Sequence, residues 1–194
     1  MMDPQRLIVG ISGASGAVYG VRILEMARTL GLETHLVMSR SAKVTAAHEG
    51  PFKVKQIEAL ASVVHPVEDI AASISSGSFR TLGMVVAPCS IRSLSEIAYG
   101  MTSTLLTRSA DVVLKERRRL VLMVRETPLH LGHLRAMTQA TEAGAIIMPP
   151  VPAFFAKPET VDDIVTYSCV RALDLFGFSL GGIRRWGGKD AGKN

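Results

Sequence analysis

The residues best suited to chemistry lie in a turn of small side chains at residues 12–17, directly after the apolar run at 7–11. A helix that begins at such a turn presents unpaired backbone N–H groups and the positive end of its dipole. Small side chains let a phosphate approach that backbone, and Ser15 adds a hydroxyl donor. The turn therefore predicts an anion-binding site, with a merely tight strand-to-helix turn as the alternative.

The glycine spacing narrows the class of phosphate ligand. Gly10, Gly13 and Gly16 give G-x-x-G-x-x-G, which differs from the dinucleotide fingerprint, and no Gly-Lys-Ser/Thr sequence follows as in nucleoside-triphosphate loops. Ser39 and Arg40 follow the second apolar run, where dinucleotide sites usually carry an acid for the ribose. The pattern favours a mononucleotide or another phosphate over NAD.

Polar residues also follow two further apolar runs. Ser90 and Ser93 come after the run that ends near residue 87, and they suit either ligand binding or helix N-capping. Arg125 directly follows five apolar residues and needs a partner, which is a phosphate, a flavin carbonyl or the neighbouring Glu126. Since ligands of doubly wound folds bind at the carboxyl ends of strands, these residues are candidates for one site.

Several function classes are disfavoured. His130 and His133 have no evident third metal ligand, and the two cysteines, Cys89 and Cys169, form neither a zinc pattern nor a disulfide framework. The net charge of +5 comes without a nucleic-acid-binding motif, and no apolar run is long enough for a signal peptide or a membrane span. We expect a cytoplasmic protein that binds no metal, nucleic acid or membrane.

Alternating strand and helix patterns predict an α/β fold with a doubly wound, mostly parallel sheet, formed by one domain over residues 1–194. The polar, glycine-rich tail from about residue 187 is predicted to be flexible. The predicted strands cover residues 7–11, 33–38, 63–65, 84–87, 120–124 and 145–148. The predicted helices cover residues 18–30, 41–49, 56–60, 68–74, 94–99, 105–116, 131–143 and 161–176.

Several segments, taken together, resemble the flavin prenyltransferases of the UbiX type over residues 6–187. The segments are GASG at 13–16, SGS at 76–78, APCS at 87–90, ADVVLKER at 110–117, RETPL at 125–129, HL at 133–134, PAFF at 152–155, Arg171 and Arg185-Trp186. The resemblance implies a Rossmann/flavodoxin-like flavoprotein fold. It also implies a metal-independent reaction in which reduced FMN and dimethylallyl phosphate give prenylated FMN and phosphate. The implied assembly is a homododecamer with active sites between subunits, which supplies a partner decarboxylase of aromatic or unsaturated acids.

The resemblance also implies a role for particular residues. FMN would be held by Gly13, Ala14, Ser15, Ser39, Ser90, Ile91, Arg92, Ser93 and Arg125. Arg108, Lys115 and Arg171 would hold the allylic phosphate, with Phe155 and Trp186 completing the substrate pocket. Glu49 and Glu126 would act as acid and base, and Ser15 and Lys115 would also be catalytic.

These roles agree with the chemistry, because fixed cations stabilise a departing phosphate, a carboxylic acid can protonate it and an aromatic wall stabilises an allylic cation. Structural alternatives remain for three of the residues. Lys115 would be an exposed helix end, Arg171 a surface charge paired with Asp174, and Trp186 a C-terminal anchor on the core.

The sequence departs from the pattern in three places. The family usually carries tyrosine where Phe155 stands, and the missing hydroxyl predicts a loss of about 1 kcal/mol in allyl-phosphate binding. Ile70 lies near the usual place of a tryptophan, and Arg135-Ala136 replaces an acid and an amide. Two other functions therefore stay open: an FMN-dependent decarboxylase of a cysteine-containing substrate, and a non-catalytic FMN-binding partner subunit.

Overall fold

A computed structural model describes residues 5–50 and 52–187. The strands are β1 Arg6–Ile11, β2 Glu33–Met38, β3 Val63–His65, β4 Gly83–Cys89, β5 Arg119–Val124 and β6 Ala145–Ile147. The helices are α1 Ala17–Thr29, α2 Arg40–Glu49, α3 Val54–Glu58, α4 Ile91–Ala98, α5 Leu105–Lys115, α6 Leu131–Glu142 and α7 Val161–Asp174, with 3₁₀ turns at Ser73–Ser75 and Phe154–Ala156. The tail predicted to be flexible from about residue 187 lies, apart from Gly187, outside the described residues.

The strands form one six-stranded sheet in the order β3-β2-β1-β4-β5-β6, and every neighbouring pair is parallel. The predicted doubly wound α/β fold is confirmed, with an all-parallel sheet instead of a mostly parallel one. The direction of winding reverses between β1 and β4. Ligands of such sheets bind at the carboxyl ends of the strands beside this reversal.

Helices cover both faces of the sheet. The side chains of β1 alternate, so that Leu7 and Val9 pack in one core with α1, α2 and α7, whereas Ile8 packs in the other core with α4, α5 and α6. Burial on both faces explains why β1 reads as a nearly continuous apolar run. A residue on α5 and a residue on α7 consequently lie on opposite sides of the sheet.

Ser12 joins the two turns that flank the reversal point. Its backbone N–H and its hydroxyl both donate to the carbonyl of Pro88, at 3.2 and 2.9 Å. The same hydroxyl oxygen accepts a hydrogen bond of 2.7 Å from the N–H of Ser90. The register between β4 and β5 shifts between Val86 and Cys89, so β4 ends irregularly where these bonds form. The turns after β1 and β4 are thereby held together as one unit.

The predicted helix over residues 68–74 is wrong. This stretch consists of turns and the 3₁₀ segment Ser73–Ser75, in which the N–H groups of Asp69, Ala72 and Ser75 bond to carbonyls three residues earlier. The Asp69 side chain also accepts a hydrogen bond from the Ala71 N–H at 3.2 Å. Such a local side-chain bond offers the backbone an alternative to the helix. Among residues 5–50 and 52–187, no helix is both long and apolar enough to cross a membrane.

Candidate functional site

A cleft of about 800 Å³ lies beside the reversal point of the sheet. We call it the strand-end cleft. It is lined by Gly13, Ser39, Arg40, Ser41, Val67, Glu68, Ile70, Ser90, Arg92, Ser93, Glu96, Ser103, Thr104, Leu106 and Thr107. The structure therefore brings together five residues predicted to bind FMN, namely Gly13, Ser39, Ser90, Arg92 and Ser93. The other predicted FMN residues, Ala14, Ser15, Ile91 and Arg125, are not part of this lining.

Three helices begin at the strand-end cleft. Ser39 caps α2 by accepting a hydrogen bond from the Ala42 N–H at 3.0 Å, and Ser90 caps α4 in the same way. Thr104 caps α5. The capping explanation is thus correct for Ser90, where it is compatible with ligand binding, and wrong for Ser93, which lies inside α4. Since each helix start carries the positive end of a dipole, the cleft favours an anionic group.

Glycine at position 13 is required by close packing. A Cβ atom placed there would stand 2.3 Å from the Ser41 Oγ and 2.6 Å from its Cβ. The Ser41 hydroxyl in turn shares a hydrogen bond of 3.0 Å with the Ser39 hydroxyl. The small side chains predicted to admit a phosphate therefore also allow the turn after β1 to lie against the start of α2.

Sequence reasoning missed part of the cleft wall. Glu96 accepts hydrogen bonds from the Arg92 guanidinium at 2.9 Å and from the Ser103 hydroxyl at 2.7 Å. Thr104 and Thr107 form a reciprocal cap at the start of α5. The T-x-x-T spacing before an apolar helix and the i, i+4 pair of Arg92 with Glu96 were signals that could have found them.

The Glu49 carboxylate occupies the start of α1. It accepts hydrogen bonds from the N–H of Gly16 at 2.9 and 3.0 Å and from the N–H of Ala17 at 3.1 Å. Burial alone would raise the pKa of Glu49, but bonds from Ser15, Gly16 and Ala17, with Arg125 nearby, outweigh it and lower the pKa below its usual range. The helix start predicted to bind a phosphate holds a carboxylate of this chain.

Arg125 extends exposed from the end of β5. Within the described ranges, no side chain forms an ion pair with it, and Glu126 instead accepts a hydrogen bond of 3.0 Å from the Thr127 N–H. The alternative in which Glu126 neutralises Arg125 therefore does not hold in this chain. Arg125 lies close enough to contribute to the lowered pKa of Glu49, so these two residues share one space.

The predicted phosphate cations on α5, Arg108 and Lys115, are not part of the cleft lining. Arg108 pairs with Asp111 at 2.8 Å and donates to the Ser75 carbonyl, and Lys115 pairs with Glu116 at 2.6 Å. Lys115 is the last residue of α5, roughly 16 Å along the helix axis from the Thr104 cap that lines the cleft. A single chain therefore does not bring Lys115 to the strand-end cleft.

The remaining predicted substrate residues lie with α7, on the opposite face of the sheet. Arg171 forms an ion pair with Asp174, as its structural alternative predicted. The ring of Phe155 contacts the ring of Trp186 edge-on, with centroids 5.4 Å apart. Trp186 is 83% exposed, so it is not an anchor buried in the core.

The cysteines and histidines have structural roles in this chain. Burial raises the pKa of the Cys89 and Cys169 thiols to about 12, which leaves both unreactive at neutral pH. His130 caps α6 by accepting a hydrogen bond from the Gly132 N–H, and the ring of His133 lies beside it, tilted by 34°, with centroids 3.6 Å apart. No group of three or more histidine, cysteine or carboxylate side chains in the described part of the chain could hold a metal ion.

Comparison with known proteins places relatives along almost the whole chain. A family model described as Flavoprotein matches residues 1–173. Flavin prenyltransferase UbiX of Escherichia coli K12 is 62% identical over 177 residues, covering 91% of this chain and 94% of that protein. Flavin prenyltransferase UbiX of Thauera aromatica is 55% identical over 185 residues, covering 95% of each.

Solved structures agree with these relatives. A crystal structure of AnUbiX (PadA1) in complex with FMN and dimethylallyl pyrophosphate matches with a TM-score of 0.94 at 47% identity, covering 97% of this chain and all of that one. The crystal structure of a dodecameric FMN-dependent UbiX-like decarboxylase from Escherichia coli O157:H7 matches with a TM-score of 0.92 at 49% identity, covering 95% and 100%.

Proposed function

The chain belongs to the flavoprotein family and, within it, to the UbiX-type flavin prenyltransferases, and on that premise we propose how its residues divide the reaction. The prenyltransferase activity predicted from the sequence is confirmed, as is its flavoprotein class. The two alternatives, a decarboxylase of a cysteine-containing substrate and a non-catalytic FMN-binding subunit, give way to this function. The division of roles among residues remains a proposal.

The strand-end cleft is the proposed place of FMN. The cleft is large enough for a mononucleotide, three helix starts face it, and Gly13 leaves the backbone open. Reduced FMN supplies the electron-rich ring that receives the dimethylallyl group. The residues proposed to hold it are Gly13, Ala14, Ser15, Ser39, Ser90, Ile91, Arg92, Ser93 and Arg125.

The proposed substrate is dimethylallyl phosphate, whose phosphate leaves as the allylic C–O bond breaks. Arg108, Lys115 and Arg171 would stabilise the charge that develops on the phosphate, and Glu126 would donate a proton to it. Phe155 and Trp186 would form the aromatic wall beside the five-carbon group. The related AnUbiX structure contains dimethylallyl pyrophosphate, so the pyrophosphate is the competing donor to test.

A second copy of the chain would complete this site. Lys115 on α5 and Arg171 on α7 lie on opposite faces of the sheet, and Lys115 lies at the far end of its helix from the cleft. Both cations can act on one phosphate only if a neighbouring chain brings one of them. A homododecamer is the proposed assembly, and a UbiX-like relative at 49% identity is described as dodecameric.

Glu49 is proposed as a base. Its lowered pKa keeps it a carboxylate at neutral pH, and a carboxylate can accept a proton but has none to donate. Ser15 hydrogen-bonds to this carboxylate and would relay a proton to it. Glu126, which is exposed and belongs to no ion pair in the described residues, is proposed for the acid role that remains.

The strand-end cleft, with its three helix starts, is the observation that carries the proposal. The test is to incubate the purified protein with reduced FMN and dimethylallyl phosphate without oxygen, and to measure the flavin mass, its visible spectrum and the released phosphate. Prenylated FMN with one phosphate per flavin is the expected result. Equal or faster product formation from the pyrophosphate would overturn the choice of donor, and no new flavin mass from either donor would overturn the function.

The wider setting of the activity is also proposed. The chain would be a single FMN-binding domain over residues 1–194 that acts in the cytoplasm. Its product would serve a cognate decarboxylase that depends on prenylated FMN and acts on aromatic or unsaturated acids. The test is to mix such an apo-decarboxylase with this protein, FMN, a reductant and the prenyl donor. Restored decarboxylation would support the partnership.

A further inference from the structure

An aromatic cluster is formed by Phe155, Tyr167 and Trp186. The ring of Tyr167 contacts the ring of Phe155 edge-on, with centroids 5.9 Å apart, and Phe155 contacts Trp186 in the same manner on its other side. Phe155 has no polar side-chain atom. The cluster's single hydroxyl therefore belongs to Tyr167, a residue that the motifs of the sequence did not single out.

Two arginines lie in the neighbourhood of Tyr167. Tyr167 and Arg171 lie four residues apart on α7, which places them on the same face of the helix, one turn from each other. Arg185 interacts electrostatically with Tyr167 and donates hydrogen bonds of 2.7 and 2.8 Å to Asp174. Asp174 also pairs with Arg171, so one carboxylate holds both guanidinium groups near the phenol.

The Tyr167 side chain borders open space instead of a packed core. It is half-buried and lines a cavity of about 270 Å³ whose charged lining residues are Lys157, Glu159, Asp163 and Arg184. In residues 5–50 and 52–187, its hydroxyl makes no hydrogen bond. A phenol that is held by ring contacts, carries Arg171 one turn away on its own helix and interacts with Arg185 can donate a hydrogen bond to an anionic group.

We infer that Tyr167 is a substrate-binding residue whose hydroxyl donates a hydrogen bond to the anionic group of the allylic substrate. The inference rests on the proposed function, since it takes Arg171 and Trp186 as parts of the substrate pocket. The ring of Tyr167 supports Phe155, and the hydroxyl supplies a neutral donor beside Arg171. Tyr167 thereby contributes to the preference for a phosphorylated donor.

The test compares Tyr167→Phe with the wild-type protein and with Tyr99→Phe, a matched removal of the hydroxyl of an exposed tyrosine directly after α4. Tyr167→Phe keeps the ring contacts, so loss of packing is not part of its effect. Dimethylallyl phosphate is titrated by calorimetry into protein loaded with oxidised FMN. Because the reaction needs reduced FMN, this titration measures binding of the donor without turnover. KM, kcat and FMN affinity are measured separately with reduced FMN.

Tyr167→Phe is expected to raise the Kd and KM for dimethylallyl phosphate about tenfold, as for one lost hydrogen bond to a charged group, with kcat and FMN affinity nearly unchanged. The double variant Phe155→Tyr/Tyr167→Phe should recover much of the affinity, because it returns a hydroxyl to the neighbouring ring. Tyr99→Phe should match the wild type.

Two results separate this inference from the proposed function. The inference alone would be overturned if the wild type forms prenylated FMN while Tyr167→Phe binds dimethylallyl phosphate as tightly as the wild type. An equal loss of affinity in Tyr99→Phe would overturn it as well. The wild type could instead bind dimethylallyl phosphate in a way that depends on Tyr167 and yet form no prenylated flavin. That result would overturn the proposed function and uphold the inference.

Discussion

The strand-end cleft and the predicted phosphate cations are built in contrasting ways. The cleft is complete within one chain, and backbone N–H groups at three helix starts and short hydroxyl side chains form much of it. The predicted cations instead carry their charges at the ends of long side chains, on opposite faces of the sheet. Each of them, Arg108, Lys115 and Arg171, is paired with a carboxylate of its own chain. The proposed roles thus make flavin binding a property of the folded chain, whereas leaving-group chemistry would need an assembly and an exchange of ion-pair partners.

The sharpest way to separate the two regions is to remove Lys115. Lys115→Ala is expected to lower the rate of phosphate release by a factor on the order of 100 to 1,000, because it removes one of the positive charges that stabilise the departing phosphate. FMN affinity should change little, because Lys115 is proposed to contact the allylic phosphate and not FMN. Stopped assays of released phosphate and fluorescence titration of FMN measure the two effects.

Lys43→Ala is the matched control for that loss. Lys43 on α2 is also paired with a carboxylate, Glu58, at 2.9 Å, and it has no proposed part in either region. Its removal should leave the rate within about twofold, because surface ion pairs contribute little. A parallel loss of FMN binding in Lys115→Ala would show that the two regions are not separate.

A second experiment tests whether two chains share one site. Lys115→Ala and Arg171→Ala are each expected to be nearly inactive. When they are mixed, dissociated and reassembled, about a quarter of the shared sites should regain both cations, because each site draws them from different copies. The measured quantity is prenylated FMN formed per total protein, and reassembly of either variant alone is the control.

No recovery on mixing, with the oligomer size of the mixture equal to that of the wild type, would place both cations in one chain. That outcome would contradict the separation by sheet face described above. Size-exclusion chromatography with light scattering gives the oligomer size and so distinguishes failed assembly from unshared sites.

The third prediction concerns a substitution in the strand-end cleft that does not change any of the predicted phosphate cations. Gly13→Ala puts a Cβ atom within 2.3 Å of the Ser41 Oγ, so the hydrogen bond between Ser41 and Ser39 must yield. Overpacking of this kind costs about 1–3 kcal/mol, and we expect the FMN Kd to rise about tenfold. The value of kcat at saturating FMN should stay near the wild type, which is the reverse of the Lys115→Ala result.

Gly181→Ala is the matched control for Gly13→Ala, because an added Cβ at Gly181 meets no atom within 4 Å. The double variant Gly13→Ala/Ser41→Gly should recover FMN affinity in part, since it removes the atoms that the new Cβ meets. Unchanged FMN affinity in Gly13→Ala would mean that the turn after β1 does not contact the flavin.

The same contrast explains what could be predicted from the sequence. The buried runs at 7–11 and 33–38 and the cap at Ser90 follow local rules of burial and capping, and the structure has them where they were predicted. The predicted helix over 68–74 failed because the Asp69 side chain favours turns, a competition that helical spacing does not reveal.

The contacts made by the long side chains could not be predicted from local sequence patterns. Glu49 reaches the start of α1 across 33 residues, and neither the spacing nor the residue type indicates that bond. The role of Lys115 came from resemblance alone, and its distance from the cleft follows from the direction of α5. Contacts that depend on side-chain rotamers and on a second copy are not encoded in short patterns.

The smallest expected effect concerns Glu49, which lies between the two regions at the start of α1. Its lowered pKa means that the carboxylate stabilises the fold above the pKa of the unfolded chain, and that this contribution is lost as the pH falls through the folded value. Glu49→Gln keeps an acceptor oxygen but removes the charge. It should cost less than about 1 kcal/mol at neutral pH, as for a charge near a helix start.

Thermal unfolding of the wild type and Glu49→Gln between about pH 3 and pH 7 measures this contribution, and the Tm difference should shrink below about pH 4. A difference that grew as the pH fell would show a protonated Glu49 in the folded state and would reverse its assignment as a base. Because Arg125 helps to lower the pKa of Glu49, Arg125→Ala should move the loss to higher pH. The same variant should weaken FMN binding, so a single arginine would link flavin binding to the protonation state of the proposed base.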